Sequence, residues 1–464
     1  MPINSKDGNR GEFAAVIATG AAFFMIVLDT SIVNLALPRI KDVFHADLTS
    51  LQWLVDGYAL VFASLLLNAG ALGDRYGAKR VFSAGLLLFC AASAACGLAP
   101  NMASLQCSRA LQGISAAMLL PNSLAALNHT VKDPDRRKIA VSAWASAGGL
   151  GVAVGPIVGG VLVQYLGWRS IFLVTIPVGL IGVWLARRHV AFGPRQTHRE
   201  FDPFGQVLAV ATLAALTYWM ISVGRAHAFS FFTMLPGLAV LLLGAAFLAV
   251  ESRQAEPMLP LDLLFRPTLG SVAVVGLLHN VGIYGLIFTF SLAFQELRGM
   301  TPVGAGLLFL PMTLTLALGT RVGAKLLQNS DPFGPQIWGH AASALGAVAL
   351  AVMGFDRSLA AIAIPLCVIG LGGGITTPSM NLSALDAVER ERSGLASGIL
   401  NSARQTGGVI GVAVLGALVG GPATAAGASW AAVAAAIALA GASALAAKVA
   451  RQYRTSAKAP VQLG

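Results

Sequence analysis

A hydrophobic run of about 20 residues, the length that spans a bilayer as a helix, recurs along nearly the whole chain. At about 1.5 Å per residue, such a helix crosses a hydrocarbon core of roughly 30 Å. Only 11% of the residues are charged, against about a quarter in a typical soluble domain. We therefore predict an all-α, polytopic membrane protein. The fourteen predicted spans lie near residues 13–37, 50–72, 81–99, 103–127, 139–165, 169–187, 204–223, 230–250, 268–293, 302–320, 335–354, 359–380, 393–420 and 427–447.

The first of these runs is expected to remain in the mature protein as a membrane span. It is longer than the core of a signal peptide and lacks a convincing cleavage site. It also contains an aspartate, Asp29, which a signal peptide would not be expected to carry at its centre.

The basic residues indicate how the chain is oriented in the membrane. The net charge is +11, and 23 of the 31 Lys and Arg residues fall on one side of the predicted spans. Six fall on the other side, and Arg109 and Arg404 lie within spans. The positive-inside rule places the richer side, and with it both termini, in the cytoplasm. We therefore predict a multi-pass protein of the inner (cytoplasmic) membrane, with a basic membrane-facing surface rather than a nucleic-acid site.

Two parts of the chain repeat each other. The segment GDRYGAK, which begins at Gly73, recurs as GTRVGAK at Gly319, each time between the second and third spans of its half. Both copies fall on the cytoplasmic side, so the repeat is parallel, as in transporters whose halves are related by an axis along the membrane normal. We predict an N-terminal six-helix bundle (1–190), linkers with two extra membrane helices (191–267), and a C-terminal six-helix bundle with a cytoplasmic tail (268–464).

The segment GALGDRYGAKR, which begins at Gly70, lies at the predicted cytoplasmic junction of the second and third spans. Gly70 and Gly77 allow a tight turn and a close approach of helices. Asp74, Arg75 and Lys79 supply charges that can pair across a cytoplasmic interface in one conformation and separate in another. An ordinary basic loop that only fixes topology is the alternative interpretation.

The fifth span contains a second glycine-rich segment, GLGVAVGPIVGG. Gly151, Gly155 and Gly159 are four residues apart and form one smooth helical face, which another helix can approach closely. Pro156 removes a backbone donor and bends the helix, and Gly160 adds a further small residue. Such a surface suits sliding between the two halves, and static packing of small residues is the alternative.

Charged residues inside the first spans identify a candidate coupling site. A carboxylate at the bilayer centre costs about 2.5–3.5 kcal/mol, so we expect Asp29 to face the bundle interior, and either Asp29 or Asp56 to carry the coupled proton. Asp29, Asp56 and Arg109 lie at similar predicted depths, roughly 8–12 Å from the outer ends of their spans, so all three could meet. Arg109 shares a helical face with Gln112. Two acids against one arginine leave a negative charge for a proton or a cationic drug to neutralise. A purely structural ion pair is the alternative.

The spans of the second half are nearly free of acids, and their polar residues give a weaker signal. His279, Asn280 and Tyr284 in the ninth span offer hydrogen-bonding and aromatic surface suited to a drug cavity, although interior packing is the preferred interpretation. Asn401 and Arg404 lie near mid-membrane in the thirteenth span, where we expect an inward-facing polar network. Contact of that network with substrate is left open.

Together these motifs resemble the major facilitator superfamily, and specifically its fourteen-helix drug:proton antiporter branch. The segment from Gly70 to Lys79 is similar to the superfamily's signature between helices 2 and 3, although Ala78 stands where a basic residue is usual. RALQGISAA, which contains Gln112, is similar to the helix 4 signature, and LDTSIVNLALP, which contains Asn34, to the helix 1 pattern of the branch. GLGVAVGPIVGG resembles the helix 5 signature associated with antiporters. WLVDGYAL resembles helix 2 of quaternary-ammonium and methylenomycin exporters.

The resemblance implies proton-coupled efflux of lipophilic cations or small antibiotics by alternating access. A proton symporter for a small metabolite is the alternative, because fold does not fix function. The histidines are scattered and no nucleophile motif is present, so we expect no enzyme activity. We expect no cofactor or metal, only a proton gradient, and a monomer that interacts with a small-molecule substrate and the lipid bilayer rather than with nucleic acid. Asp29→Asn is expected to abolish proton-driven efflux while the protein stays folded and inserted.

Overall fold

The structure is a computed structural model, and it describes most of the chain. The described residues are 5–192, 202–226, 231–254, 257, 259, 261–328, 331–354, 358–389, 392–419 and 423–458. Parts of both predicted linkers and the end of the predicted cytoplasmic tail lie outside these residues, as do four of the basic residues counted for topology, Arg195, Arg199, Arg357 and Arg390.

Nearly all of the described residues are helical, and no strand occurs among them. The helices are α1 (Ser5–Phe44), α2 (Leu48–Tyr76), α3 (Ala78–Gly97), α4 (Met102–Thr130), α5 (Pro134–Val161), α6 (Ser170–Leu173), α7 (Thr175–His189), α8 (Pro203–Ala226), α9 (Phe231–Glu251), α10 (Leu261–Leu264), α11 (Pro267–Glu296), α12 (Pro302–Leu326), α13 (Gly334–Met353), α14 (Leu359–Asp386), α15 (Ser393–Val419) and α16 (Ala425–Lys458). A π-helical turn, Leu162–Leu166, follows α5 directly.

The prediction of an all-α chain with fourteen spans is confirmed. Fourteen helical segments within the described ranges are long and apolar enough to cross a membrane, with α6 and α7 together forming one span, Ser170–His189. Large apolar side chains on these helices remain exposed, such as Leu241 on α9 and Val352 on α13. Exposed apolar side chains on this scale suit helices that face lipid rather than water.

Residues at the helix ends explain why the helices begin and end where they do. The Asp47 and Asp133 carboxylates accept hydrogen bonds from backbone N–H groups in the first turns of α2 and α5, both at 2.9 Å. Asn101 and Ser104 form a capping box at the start of α4. Gly77 ends α2 with φ of 94°, a conformation that side chains with a Cβ rarely adopt. Capping residues and Gly77 at these ends therefore define where α2, α4 and α5 begin and where α2 ends.

The chain divides into two compact units. Unit 1 comprises Met1–Met258, Phe290–Leu310 and Gly420–Ala423, and unit 2 comprises Leu259–Thr289, Pro311–Val419 and Thr424–Gly464. In unit 1, α1 packs against α4, α5 and α7, α4 also packs against α2 and α3, and α8 joins α2 and pairs with α9. In unit 2, α13 packs against α14 and α16, and α15 against the same two helices. The domain boundaries at 190 and 267 stay a prediction.

Candidate functional site

The core of unit 1 holds a buried ion pair between α1 and α4. Arg109 Nη1 donates to Asp29 Oδ2 at 2.5 Å, and Gln112 Nε2 lies 3.3 Å from the other carboxylate oxygen, Oδ1. Arg109 Nη1 also donates to Gln112 Oε1 at 2.9 Å. Asp29 and Gln112 are fully buried and Arg109 is 1% exposed. The expected approach of Asp29 and Arg109 is therefore observed. Gln112, predicted only to share a helical face with Arg109, is a second donor, so each oxygen of the Asp29 carboxylate has its own donor.

Further side chains hold this pair in place. Gln112 Nε2 donates to Ser93 Oγ at 2.8 Å, and Thr175 Oγ1 lies 3.0 Å from the same oxygen. The Arg109 guanidinium carbon lies 4.3 Å from the centre of the Tyr58 ring, a cation–π distance. A buried ion pair is favourable only when its remaining polar atoms are also satisfied, and α3 and α7 supply that second layer here. Ser93 and Thr175 were not predicted, because a small hydroxyl residue in an apolar run gives no distinctive pattern.

Asp56 is buried but does not join this group. The structure gives no ion pair or hydrogen bond between Asp56 and Arg109, and both Asp56 carboxylate oxygens are buried without a hydrogen-bond partner among the described residues. The reason is rotation of α2. Arg109 meets the Leu54 carbonyl oxygen and the Tyr58 ring, and Asp56 is two residues from both, which places it on the opposite side of the helix. The expectation that one arginine serves both acids is therefore not met.

A second set of contacts lies at the C-terminal end of α1, within unit 1. Lys41 Nζ donates to Glu296 Oε1 at 2.7 Å, with both side chains partly exposed. Earlier on both helices, the hydroxyl of Ser291 on α11 donates to the carbonyl oxygen of Asn34 on α1 at 2.6 Å. The predicted site residue Asn34 donates from Nδ2 to the Thr30 carbonyl oxygen of its own helix, and its Oδ1 is buried with no partner among the described residues. These contacts fix the last two turns of α11 against α1.

The glycine face of α5 packs directly against α1. A Cβ atom at Gly151 would lie 2.9 Å from the Phe24 carbonyl oxygen, and one at Gly159 would lie 2.9 Å from Ile32 Cβ. A Cβ at Gly155 would collide with the Ser31 side chain. The predicted close approach of the two helices is therefore present. The contacts of α5 with Phe24 and Ile32 lie before and after Asp29 on α1.

The other small residues of this segment face the start of α12, also within unit 1. A Cβ at Gly160 would lie 2.7 Å from the Pro302 carbonyl oxygen, and one at Gly306 would collide with the Pro156 carbonyl oxygen. Gln164 in the π-helical turn adds a hydrogen bond to the Val303 N–H at 3.3 Å. Whether these surfaces slide, as the spacing suggests, stays a prediction.

The loop between α2 and α3 adopts the predicted tight turn at Gly77. Lys79 Nζ donates to the Arg187 carbonyl oxygen at the end of α7 at 3.0 Å, a place where a cation is favoured by the helix dipole. The Gly70 position is less crowded, since a Cβ there would be 3.9 Å from Pro121 Cβ. Arg75 is exposed and Asp74 is partly exposed. The switching role proposed for these charges stays a prediction.

In unit 2 the structure brings two histidines together. His279 on α11 and His340 on α13 are both buried, and their ring centres are 5.2 Å apart in an edge-to-face arrangement. Asn280 is buried and Tyr284 is partly exposed on the same helix. His340 was not predicted as a site residue, because its distance in sequence from His279 hides their contact.

The polar network expected on α15 is not found among the described residues. Asn401 Nδ2 donates to the Ser397 carbonyl oxygen at 2.9 Å, a bond within its own helix. The Arg404 guanidinium makes no hydrogen bond or ion pair in the described part of unit 2, and its Nε is buried without a partner. Because the Asn401 amide donates to the carbonyl oxygen four residues earlier on its own helix, this donor does not need a partner on a neighbouring helix.

The extra helix α8 carries polar contacts that the hydropathy pattern did not reveal. Gln206 accepts a hydrogen bond from Asn68 at 2.6 Å and donates to the Ser64 carbonyl oxygen at 3.0 Å, which ties α8 to α2. The carboxylates of Asp202 and Glu251 both point at Gly205, where a Cβ would lie 2.7 Å from Glu251 Oε1. Asp202 lies in the predicted linker and Gln206 near the start of the predicted span 204–223, and neither residue was predicted to have a role.

Known proteins are similar to this chain over most of its length. A methylenomycin A resistance protein of Streptomyces coelicolor is 34% identical over 417 residues, which are 89% of this chain and 86% of that protein. The drug efflux pump JefA of Mycobacterium tuberculosis is 34% identical over 414 residues, 87% of this chain and 80% of the pump.

Solved structures share the fold. A POT family transporter in complex with a thioalcohol-conjugated peptide is 14% identical, with a TM-score of 0.70 and 96% of each chain covered. This likeness at low identity concerns the fold alone. The family model described as Major Facilitator Superfamily matches residues 19–412. The prediction from the span motifs is thus confirmed, and the chain belongs to the Major Facilitator Superfamily.

Proposed function

We propose that this transporter exports drugs or antibiotics across the cytoplasmic membrane in exchange for protons, by alternating access. The proposal takes both termini to be cytoplasmic, as the distribution of basic residues indicates. The names of the relatives, a resistance protein and an efflux pump, favour export over uptake of a metabolite. We further propose that the protein acts as a monomer and uses no cofactor besides the proton gradient.

The observation that carries the proposal is the contrast between two buried acids of unit 1. Asp29 has a counter-ion, Arg109, at 2.5 Å. Asp56 is fully buried and has no hydrogen-bond partner among the described residues. A buried carboxylate without a donor or counter-ion is unfavourable unless a ligand neutralises it. We assign the exchanged proton to Asp56 and the fixed, orienting charge to Asp29.

Asp56→Asn tests this assignment. The change removes the titratable group at nearly constant size, so the folded protein should be retained and proton exchange should fall by at least about tenfold, the factor equal to roughly 1.4 kcal/mol. The readout is the loss of a preformed pH gradient in everted vesicles when substrate is added. The matched control is Asp47→Asn on the same helix, because asparagine caps a helix as well as aspartate does and transport should stay unchanged. Substrate-dependent proton exchange at the wild-type rate in Asp56→Asn would contradict the assignment.

The contacts between α1 and the end of α11 give a second prediction. In the proposed orientation they lie at the outer side and would separate when substrate is released there. Lys41→Glu and Glu296→Lys should each favour separation by roughly 1 kcal/mol, a population shift of about fivefold. The double exchange restores the ion pair in reverse and should restore efflux. The opening is measured with a cysteine introduced at Gln295 in a protein whose four native cysteines are replaced by serine, as its accessibility to a membrane-impermeant thiol reagent. Equal accessibility in all three variants would refute a gating role for this pair.

The function itself is tested with a susceptibility panel. Expression in a bacterial host without its own efflux pumps should raise resistance to some members of a panel of quaternary ammonium compounds, dyes and small antibiotics. An inward proton gradient imposed on vesicles should then drive substrate in the opposite direction to protons. Flux in the same direction as protons would favour the symporter, and no change in resistance or flux would count against drug efflux.

A further inference from the structure

Arg404 is a charged residue in the middle of a membrane span, and it has no hydrogen-bond or ion-pair partner among the described residues. It lies in α15, eleven residues from the first residue of the helix, Ser393. The aliphatic part of its side chain packs against Gly276 on α11, where a Cβ would be 3.0 Å from Arg404 Cγ. The residue as a whole is partly exposed, its Nε is buried, and it makes no hydrogen bond or ion pair within the described part of the chain. An arginine in a span normally faces the interior and pairs with an acid or a carbonyl group.

The described part of unit 2 offers no acid that could balance this charge inside the membrane. Its described acidic residues lie at helix ends or in loops: Asp262, Asp331, Asp386 and Glu389. Asp262 already pairs with Arg392 at 2.9 Å, and Asp331 Oδ1 accepts from the Phe333 and Gly334 N–H groups. In unit 1 the corresponding intramembrane arginine, Arg109, has Asp29. The positive charge of Arg404 therefore has no fixed counter-ion among the described residues of unit 2.

Neutral hydrogen-bonding groups lie on the helix that Arg404 packs against. His279 is one turn from Gly276 on α11, and the Tyr284 ring lies 3.7 Å from where a Cβ of Gly408 would be, one turn from Arg404 on α15. His279 contacts the ring of His340, whose Nδ1 lies 2.8 Å from the Gln336 carbonyl oxygen. That bond places the proton of a neutral ring on Nδ1, so Nε2 carries a lone pair, and Nε2 is buried without a partner. Hydrogen-bonding capacity at Arg404 and the two rings is thus left unused by the described chain.

We propose that Arg404 binds an anionic oxygen group of the transported molecule, a carboxylate or an ionised phenol, with Tyr284 and His279 completing the site. The inference rests on the proposed efflux function and adds the substrate class. A guanidinium presents a planar fork of donors that matches a carboxylate, and charge-assisted bonds of this kind are about twice as strong as neutral ones. The Tyr284 hydroxyl and one ring N–H of neutral His279 can donate hydrogen bonds to the anion without adding a second charge. A lipophilic cation, by contrast, would be repelled at this position.

The test uses two fluorescent probes in the efflux-deficient host. Carboxyfluorescein, loaded as its diacetate ester, is the anion, and ethidium is the cation. Cells with the wild-type protein should lose carboxyfluorescein faster than cells without it. Arg404→Gln should lower the initial rate for the anion by at least about tenfold per molecule in the membrane, equal to roughly 1.4 kcal/mol, and should not lower the rate for ethidium. Arg404→Lys keeps the positive charge without the planar fork of donors, so its anion efflux rate should lie between those of the wild type and Arg404→Gln.

Two further variants separate binding from packing. Tyr284→Phe removes only a hydroxyl and should slow anion efflux by about threefold, since one hydrogen bond contributes roughly 0.5–1.5 kcal/mol. Arg392→Gln, which breaks only an exposed ion pair, is the control and should leave the rate unchanged. Drug resistance without carboxyfluorescein efflux in the wild type would overturn the anion site while leaving the efflux function standing. Equal anion rates in wild type and Arg404→Gln would overturn it as well, and absence of any resistance or efflux would instead remove the function on which it rests.

Discussion

Replacing Asp29 by asparagine is expected to abolish proton-driven efflux and to destabilise the folded protein by about 3–5 kcal/mol. The sequence alone suggested a variant that folds normally, but the structure shows that Arg109 depends on this carboxylate. Arg109 is 1% exposed, and Asp29 is its acidic partner at 2.5 Å. Removing one partner of a buried ion pair leaves the other charge desolvated, which costs more than the pair itself contributes. Unfolding of the purified protein in detergent measures the stability loss.

A double-mutant cycle separates stability from coupling. Asp29→Asn combined with Arg109→Gln removes both charges, so the double variant should be more stable than either single variant. Its efflux should still be absent, because the orienting charge is lost. The control is Asp135→Asn, which breaks an ion pair with Lys138 at 3.0 Å on the protein surface and should cost no more than about 1 kcal/mol. Wild-type efflux in Asp29→Asn, or simple addition of the two single effects, would contradict this interpretation.

The sequence predicted the depth of the buried charges in the membrane but not the direction in which each side chain points. Depth along the membrane normal follows from counting residues at about 1.5 Å each, and that count correctly brought Asp29 and Arg109 to one level. Rotation of one helix against its neighbour is set by packing, which a single sequence does not record. Asp56 lies at the predicted depth but on the side of α2 away from Leu54 and Tyr58, which meet Arg109.

Contacts between distant segments were missed for a related reason. Lys41 was counted only as a topology charge, and its partner Glu296 is the last residue of α11. His340 was one of several scattered histidines until the fold placed it beside His279. By contrast, the spans and the glycine face of α5 were predictable, because hydrophobic length and four-residue spacing are local properties of the chain. Local patterns thus define the elements of this fold, and long-range packing defines most of its polar pairs.

The glycine face of α5 provides the other large effect. Gly151→Ala and Gly159→Ala each add a methyl group where a Cβ would lie 2.9 Å from atoms of α1, so something must shift. Overpacking of this kind costs about 1–3 kcal/mol per site, and the two sites are far enough apart that the costs should nearly add. Because the displaced segment of α1 carries Asp29, the double variant should also lose at least about 90% of efflux, a tenfold change.

The control for this pair lies on the same helix. Gly149 is exposed, and a Cβ there would meet no atom within 4 Å. Gly149→Ala should therefore keep full efflux and gain about 0.5–1 kcal/mol of stability, because alanine loses less backbone entropy than glycine in a helix. Unfolding in detergent and efflux in cells are measured for the four variants and the wild type. If Gly151→Ala/Gly159→Ala matches Gly149→Ala in both measurements, α1 and α5 are not in backbone contact, and the position of Asp29 does not depend on the small residues of α5.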